Sequence, residues 1–297
     1  MMAERRFHIG ANAFEAPSLE AGLYLVATPI GNLGDVTLRA LETLAAADTI
    51  YCEDTRITLR LMERFGLRVP LKALHDHNEA ALVPGLVAEI ESGKALALVS
   101  DAGMPLISDP GYRLVRACAD AGLRVTSLPG ANAVLAALQL SGLATDSFRF
   151  AGFLPSADGE RRRVLDDLME ASHTVIAYES PHRLRDCVAD IAARDPARPI
   201  AVARELTKLH EEILRGTATA VLETLSARAT IKGECVVVIA GKPATQDALD
   251  DAQIARIIAD AAAGLPAGKA AQQVARLTGL PRDEAFARIL KIKGTRP

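Results

Sequence analysis

Residues 23–56 read LYLVATPIGNLGDVTLRALETLAAADTIYCEDTR, and this stretch decides the fold. Residues 23–27 are a short apolar run typical of a strand, which ends in the turn-forming sequence TPIGN of residues 28–32. A helix capped by Asp35 or Thr37 is predicted next, and a second strand at 49–52 ends in EDTR at residues 53–56. In an open parallel α/β sheet, ligands bind where the strands end, so both polar turns are expected on the functional edge.

The alternation of strands and helices continues to residue 240 and predicts an α/β protein with parallel sheets. Further strands of a first domain are predicted at 71–74, 95–99 and 125–128. A helix at 131–143 then starts a second set of elements, with strands predicted at 148–154, 174–178, 200–203, 218–221 and 235–241. We therefore predict two α/β domains, at residues 22–130 and 131–242, with a cleft between them.

The bulk composition is that of an ordinary globular enzyme. The 297 residues are 49% hydrophobic and 24% charged, and the formal net charge of −3 argues against nucleic-acid binding through global charge but allows a local basic face. No apolar run reaches membrane-spanning length, and the first residues lack the apolar core of a secretory signal, so we expect a cytoplasmic protein without a membrane partner. Residues 1–21 are predicted to be a flexible tail. The four cysteines match no metal or redox spacing, so buried free thiols are expected.

The C-terminal part of the chain has a different character. Residues 243–297 are predicted to be a polar connector followed by helices at 253–263, 268–278 and 282–291, the last two forming a helix-turn-helix. Between residues 253 and 297, eight Lys and Arg residues stand against three acidic residues, which gives a net charge of +5. A basic helix-turn-helix favours a polyanionic partner, and a dimerisation or packing module is the equally weighted alternative.

The turn SDAGMP at residues 100–105 follows the strand predicted at 95–99. Small residues at Ala102 and Gly103 let the backbone approach a ligand closely, and the Asp101 carboxylate can accept hydrogen bonds from ribose hydroxyls or an amine. For Asp109, a capping role at the start of the following helix is favoured over a ligand contact. A third turn, LPGAN at residues 128–132, follows the fifth strand. Three such turns at strand ends of one sheet favour an elongated small-molecule site.

Two further groups of polar residues are candidates for a site. The sequence HDHN at residues 75–78 has two histidines separated by one residue, but no cysteine or third histidine has supporting spacing, so contact with a polar substrate is favoured and no metal site is predicted. In the second domain, ionisable groups follow strand ends at Glu179, Arg204, Glu205 and Lys208. They either bind a ligand in the cleft or form surface salt bridges.

Three common catalytic motifs are absent from the sequence. It contains no GxxxxGK[ST], no GxGxxG after the first strand and no GxSxG. A P-loop nucleotide hydrolase, a dinucleotide-dependent oxidoreductase and an α/β-hydrolase therefore lose support.

The motifs as a set resemble a known family. Between residues 23 and 241 the chain contains, in this order, LYLVATPIGNLGD, EDTR, LHDHNE, ALVSDAGMPLISDPGYRLV, SLPGANA, FAGFLP, YESPHRL, ARELTK and KGECVVVIAG. This series closely resembles the ribosomal RNA small-subunit methyltransferase I family of the tetrapyrrole-methylase-like group. The basic C-terminal segment is similar to that family's helix-turn-helix. Met104 and Ala131 differ from the Thr and Pro expected at these positions.

The resemblance implies two α/β domains of the tetrapyrrole methylase type, with S-adenosylmethionine (SAM) bound in the cleft, and a homodimer. It also implies 2′-O-methylation of a cytidine ribose in the decoding region of 16S rRNA, with 16S rRNA or the small ribosomal subunit as partner. By position, the family's cofactor contacts correspond to Pro29, Ala102, Gly103, Ile107, Asn132, Ala133, Glu179 and Leu206. Asp101 joins the cofactor candidates because of its place in the turn after the strand at 95–99.

A ribose hydroxyl is a weak nucleophile, so a base or a polarising group is expected beside it. The catalytic candidates are, in order, Asp54, His77 and Glu205. The candidates for RNA contacts are Arg56, Lys208, Lys269 and Arg282.

Two other functions stay open at this point. One is SAM-dependent methylation of a tetrapyrrole, against which the basic C-terminal segment argues, because a small acidic ring needs no helix-turn-helix. The other is a non-catalytic ribosome-binding or assembly factor that keeps the fold. The intact turns at Pro29, Gly103 and Gly130 argue against lost chemistry.

Overall fold

The computed structural model describes residues 5–242 and 251–294. The chain divides into two compact units, Met1–Gly241 and Lys242–Pro297. Within the described part, the first unit contains two five-stranded sheets and a two-stranded N-terminal hairpin. The hairpin consists of β1 (Arg6–Ile9) and β2 (Asn12–Glu15).

The first α/β domain contains β3 (Gly22–Val26), α1 (Leu38–Ala46), β4 (Thr49–Cys52), α2 (Thr55–Phe65), β5 (Leu71–Ala73), α3 (Asp76–Glu91), β6 (Ala95–Val99), α4 (Tyr112–Asp120) and β7 (Val125–Leu128). The second contains α5 (Ala133–Ser141), β8 (Phe148–Phe153), α6 (Asp158–Glu170), β9 (Thr174–Glu179), α7 (Leu184–Arg194), β10 (Pro199–Arg204), β11 (Glu212–Thr217), α8 (Ala218–Ser226) and β12 (Cys235–Ile239).

The sheet of the first domain is entirely parallel, in the order β5-β4-β6-β3-β7. Successive residues of β6 pack on opposite faces, with Ala97 in a core that includes residues of α1 and α2, and Leu98 in a core that includes residues of α3 and α4. Burial on both faces explains the continuous apolar runs in the sequence. The parallel order places the turns after β3, β4 and β6 at one edge, as predicted.

The sheet of the second domain has the order β11-β10-β12-β9-β8, and only β8 and β9 are parallel neighbours. The prediction of a parallel sheet is therefore wrong for this domain. The reason is that β12 inserts between β9 and β10 and runs antiparallel to both, while a short loop joins β10 and β11 as antiparallel neighbours.

The strand predicted at 218–221 is also wrong, because these residues begin α8. The Thr217 hydroxyl caps this helix by accepting a hydrogen bond from the Ala220 amide at 3.2 Å. The strand in this region is β11, an edge strand that is only partly buried. Its mixed sequence EILRGT carries no strong apolar signal, which is typical of an edge position.

The N-terminal hairpin corrects the prediction of a flexible tail. Phe7 is 3% exposed and belongs to the core that also contains Phe65. Phe14, on the neighbouring strand, stacks on Phe7 with ring centroids 5.4 Å apart but stays 43% exposed. Burial of Phe7 therefore ties the hairpin to the first domain. The tail residues 1–4 lie outside the described residues.

The second unit contains α9 (Asp251–Gly264), α10 (Ala267–Thr278) and α11 (Arg282–Gly294). Its core includes Ile258, Val274 and Ile289, one from each helix. Gly279, at φ +73°, ends α10 before the turn to α11, as the helix-turn-helix prediction requires. The predicted connector at 243–250 lies outside the described residues.

Cys52, Cys118, Cys187 and Cys235 are all buried and free, as predicted. Within the described ranges, every helix is too short or too polar to cross a membrane.

We expect Phe7→Ala to lower the free energy of unfolding by about 3 kcal/mol, because it removes a buried aromatic side chain. Phe14→Ala is the matched control and should cost about 1 kcal/mol, mainly through the lost ring contact. Urea unfolding measures both values. Equal losses for the two variants would contradict the assignment of Phe7 as the residue that ties down the hairpin.

Candidate functional site

Two of the predicted functional turns are hydrogen bonded to each other. The Thr28 amide donates to the Gly103 carbonyl at 2.9 Å, and the Gly103 amide donates back to the Thr28 carbonyl at 3.0 Å. The Thr28 hydroxyl also donates to the Ser100 carbonyl at 2.9 Å. Gly103 has φ +91°, and a Cβ there would lie 3.3 Å from the Ile30 side chain. The close approach of the turns after β3 and β6 therefore depends on glycine.

Left-handed backbone is concentrated in two loops near these turns. Among the described residues, the non-glycine residues with positive φ are Leu106 and Ser108, between β6 and α4, and Glu205 and Thr207, between β10 and β11. Such conformations cost on the order of 1–3 kcal/mol each and cluster at functional sites. Both loops contribute to the wall of one cavity.

This large cavity has a volume of about 590 Å³, within the usual range for small-molecule sites. Residues of both α/β domains line it. Its apolar wall includes Ile30, Ile107, Phe153 and Val236. Its carboxylates are Asp101, Asp109, Glu179, Glu205 and Glu234.

The large cavity is acidic, since Lys208 is the one basic residue among its described lining residues. Burial raises the pKa of Asp109, whose carboxylate accepts a hydrogen bond from the Ser100 hydroxyl. Burial, together with the charges of Asp109 and Glu234, raises the pKa of Tyr178 to about 12. Carboxylates in a partly buried cavity favour a cationic ligand.

Glu179 presents an unpaired oxygen in the wall of the large cavity. Its side chain is 0% exposed. Oε1 accepts hydrogen bonds from the Ser180 amide at 2.7 Å and from Arg183 Nε at 2.8 Å. Oε2 has no hydrogen-bond partner among the described residues. An unpaired buried carboxylate oxygen is costly, so a ligand donor is expected at this point.

Lys208 connects the two domains. Its Nζ lies 2.9 Å from a Glu205 oxygen and 3.1 Å from a Glu234 oxygen. The hydrogen bond from Lys208 lowers the pKa of Glu205. The stem of Lys208 crosses Gly31, where any Cβ would collide with it. The loop after β10 therefore reaches the turn after β3.

A small cavity of about 450 Å³ adjoins the large one and is lined mainly by the turn after β3 and by α2. Both cavities are lined by Ile30, Asp101, Ala102, Lys208 and Glu234. Because the cavities share this wall, ligands bound in them would lie side by side.

Asp54, the first candidate base, caps α2. Its carboxylate accepts a hydrogen bond from the Arg56 amide at 2.9 Å and is bidentate with the Arg56 guanidinium. The hydrogen bond from the Arg56 side chain lowers the pKa of Asp54 to about 2. The Asp54 amide donates to the Asp101 carboxylate at 3.0 Å. Asp54 therefore shapes the loop beside Asp101, and it is not among the described residues that line either cavity.

His77, the second candidate base, lies exposed in the first turn of α3, again outside the described lining of both cavities. The rings of His75 and His77 have centroids 5.9 Å apart. His75 precedes α3, and its amide donates to the Asn78 side chain at 2.8 Å. Across the described part of the chain, no cluster of three or more His, Cys, Asp or Glu residues could hold a metal ion.

The helix α4 is capped by Glu79 and not by Asp109, so that prediction is wrong. The Glu79 carboxylate is buried and accepts hydrogen bonds from the amides of Arg113 at 2.9 Å and Leu114 at 3.1 Å. Gly111 separates Asp109 from the first turn of the helix. Asp109 is thereby left to face Ser100 and the large cavity.

The predicted cofactor contacts fall into two groups. Those in a cavity wall are Asp101, Ala102, Ile107, Ala133 and Glu179 in the large cavity, and Pro29 in the small cavity. The others have structural contacts: Gly103 in the bridge to Thr28, Asn132 as the cap of α5, and Leu206 in a core with Ile30.

Several residues that line the cavities were not predicted from the sequence. They are Ser108, Asp109, Phe153, Tyr178 and Glu234 in the large cavity, and Arg60 in the small cavity. Asp101 was predicted because a polar residue directly after a strand lies at the functional edge of the sheet. Ser108 and Asp109 lie farther from the end of the same strand, so this criterion indicates them only weakly. Glu234 precedes its strand, so the criterion does not apply to it.

The four predicted RNA contacts differ in surroundings. Arg56 is engaged by Asp54, and Lys208 by two carboxylates. Lys269 on α10 and Arg282 on α11 are exposed on the second unit.

Two family models match the chain. The model for Tetrapyrrole (Corrin/Porphyrin) Methylases matches residues 22–222, and the model for the RsmI C-terminal HTH domain matches residues 248–293. The chain therefore has the tetrapyrrole methylase fold followed by a helical domain, as the motifs predicted.

Curated relatives are similar along almost the whole chain. A protein from Mesorhizobium japonicum named ribosomal RNA small subunit methyltransferase I is 47% identical over 97% of this chain and 97% of its own length. One of the same name from Xylella fastidiosa is 47% identical over 89% of this chain and 97% of its own. Among solved structures, the methyltransferase CobJ has a TM-score of 0.56 at 18% identity, over 74% of this chain and 94% of its own, which shows the fold alone.

We expect Lys208→Met to raise the pKa of Glu205, because the hydrogen bond from Lys208 is the largest influence lowering it. A lowered folded-state pKa stabilises the protein above the unfolded-state pKa, and this contribution is lost as the pH falls through the folded-state pKa. The variant should therefore lose less stability on acidification than the parent. Carboxyl-carbon NMR titration measures the pKa directly. Lys94→Met, which breaks a comparable pair with Glu89, is the control and should leave Glu205 unchanged.

Proposed function

The chain belongs to the ribosomal RNA small subunit methyltransferase I family, and from this membership we propose that it transfers a methyl group from SAM to the 2′ oxygen of a cytidine in the decoding region of 16S rRNA. The observation that carries the proposal is the pair of cavities with a common wall. Group transfer requires a donor and an acceptor held side by side. The large cavity takes the cofactor, and the small cavity is on the acceptor side.

The residues of the large cavity fit SAM. The cofactor supplies a methyl group on a positively charged sulfonium, and the five carboxylates of the cavity favour a cation. Glu179 Oε2, which is buried without a partner, would accept a hydrogen bond from the cofactor's amino group or a ribose hydroxyl. Ile107, Phe153 and Val236 provide apolar surface for the adenine.

Glu205 is the candidate base that the cavity wall contains. We assign to its carboxylate the role of general base. It would take up the proton of the ribose hydroxyl as that oxygen accepts the methyl group, and the cofactor's sulfonium would become a neutral thioether as its sulfur–methyl bond breaks. Lys208 lines both cavities and lies 2.9 Å from Glu205, which lines the large cavity. The charge of Lys208 would stabilise the negative charge that develops on the oxygen. The Asp54 carboxylate is held bidentate by Arg56 and is not among the described residues that line either cavity, so we assign it the role of positioning the Asp101 loop.

The partner is 16S rRNA or the small ribosomal subunit. In this proposal, Lys269 and Arg282 of the basic second unit contact RNA phosphates. These contacts add affinity for RNA that does not depend on the nucleotide sequence. We place the reaction in the cytoplasm and expect the protein to act as a homodimer.

A tetrapyrrole methyltransferase and a non-catalytic assembly factor are the competing functions. The fold is compatible with both. The net charge of +5 on the C-terminal segment favours the RNA substrate over a small acidic ring. The strained loops and the unpaired Glu179 oxygen favour a functional ligand site over a site that has lost its ligand.

The test is methylation of small ribosomal subunits and of free 16S rRNA, both from a strain that lacks this gene. We expect SAM to be consumed and one decoding-region cytidine to gain a 2′-O-methyl group, identified by mass mapping of RNase fragments. Methylation of a base would contradict the ribose acceptor. SAM binding without transfer to either RNA substrate would point to an assembly factor or another acceptor.

We expect Glu205→Gln to slow methyl transfer by about 100-fold or more, because the amide cannot take up the proton. SAM affinity, measured by calorimetry, should fall far less than the rate, because four of the five carboxylates of the large cavity remain. Asp54→Asn is the comparison and should change the rate by less than about 10-fold. Single-turnover kinetics at saturating RNA give both rates. A near-parental rate for Glu205→Gln would remove this residue as the base.

A further inference from the structure

Three arginines lie along the exposed side of α2. Arg56, Arg60 and Arg64 are spaced four residues apart, so they follow one another along one side of the helix. The opposite side of α2, which includes Leu61 and Phe65, is buried. We call the three residues the arginine ladder.

Two of the three charges are available to a partner. Arg56 is paired with Asp54, whereas Arg60 and Arg64 make no ion pair with the residues that the structure describes. Arg60 also contributes, through its charge alone, to the low pKa of Asp54. Glu63 is an exposed acidic residue on the same helix. The outer part of the ladder is therefore positive, in a protein with a net charge of −3.

The ladder leads into the small cavity. Arg60 is one of the residues that line this cavity, and Arg64 lies one turn farther along α2. Four residues of a helix span about 6 Å, from a rise of 1.5 Å per residue. This separation is comparable to that of successive phosphates in a single RNA strand.

The small cavity is suited to a nucleoside. Its aliphatic walls are formed by Pro29, Leu33, Ile57 and Leu61, which can pack against a flat base. Thr58 is 3% exposed and lines the cavity. Its hydroxyl faces the Cys52 thiol, a weak acceptor, and makes no hydrogen bond to the described residues. The cavity thus combines apolar walls with a buried hydroxyl whose neighbouring acceptor is only a weak one.

We propose that a single strand of RNA lies along α2, with successive phosphates on Arg60 and Arg64 and one unstacked nucleotide in the small cavity. This inference rests on the proposed function and assigns its RNA-binding surface in the α/β part of the chain. The arginine fork matches phosphate geometry and keeps its charge at any relevant pH. Proteins recognise specific RNA sequences mostly through unstacked nucleotides of single-stranded regions, and a pocket beside a phosphate track can hold such a nucleotide.

The wall shared by the cavities explains the arrangement. Lys208 and Glu234 line both cavities, and Lys208 also contacts Glu205. A ribose held in the small cavity would therefore lie next to Lys208, which contacts the group assigned as base in the large cavity. The phosphates stay outside on the ladder, away from the carboxylates of the large cavity.

The test uses the full-length variants Arg60→Gln, Arg64→Gln and the double variant. Arg163→Gln is the matched control, because Arg163 is an exposed helical arginine of α6 with no ion pair to the described residues. The affinity for a single-stranded 16S rRNA fragment is measured from low to high salt. Each ladder substitution should reduce the slope of log K against log salt by about 0.7, and the double variant by about 1.4. The control should keep the parent slope, and SAM affinity should not change in any variant.

Two results would overturn the inference. A parental salt slope in the double variant would remove Arg60 and Arg64 as phosphate contacts. A change in sedimentation behaviour without a change in RNA binding would identify this face as an interface with another protein chain. Methylation by the parent protein is measured in parallel, so a failure of the proposed function is distinguishable from a failure of the ladder alone.

Discussion

The pair of backbone hydrogen bonds between Thr28 and Gly103 joins the ends of β3 and β6, and the candidate site depends on it. Parallel strands leave their carboxyl ends at one edge, but nothing in the sheet itself holds the turns beyond that edge together. The Thr28–Gly103 bridge does so, and it keeps Asp101 and Ala102 in the wall between two cavities. A side chain at position 103 would be strained by φ +91° and crowd Ile30, so the bridge requires glycine.

Charge is separated across this wall. The large cavity contains five carboxylates and Lys208, and it favours a cationic cofactor while repelling phosphate. Positive charge lies outside it, on the exposed side of α2. The second unit, taken by itself, also exposes basic residues on α10 and α11. The net charge of −3 therefore does not report the local positive surfaces that a polyanion would contact. Lys208 is the exception within the cavity, and its two carboxylate partners hold it in the wall shared by both cavities.

The antiparallel insertion of β12 has a direct effect on the site. Its register places Cys235 opposite Glu179 on β9 and opposite Arg204 on β10. The residues that precede β12, including Glu234, therefore meet the ends of β9 and β10 at the cavity. In a fully parallel sheet, the start of this strand would lie at the far edge. The topology of the second sheet is thus part of how Glu205, Lys208 and Glu234 come together.

The sequence by itself determined the parallel first sheet, the helix-turn-helix and the family, because apolar periodicity, turn residues and motif order are local signals. It identified Asp101, Glu179 and Glu205 as residues that follow strands. The tertiary structure decided that Asp54 caps a helix and holds Arg56. The role of a carboxylate that follows a strand depends on its hydrogen-bond partners, which the sequence does not show. The tertiary structure also decided that Phe7 is a core residue and that Glu234 reaches the cavity, because burial and strand order depend on contacts between residues far apart in the chain.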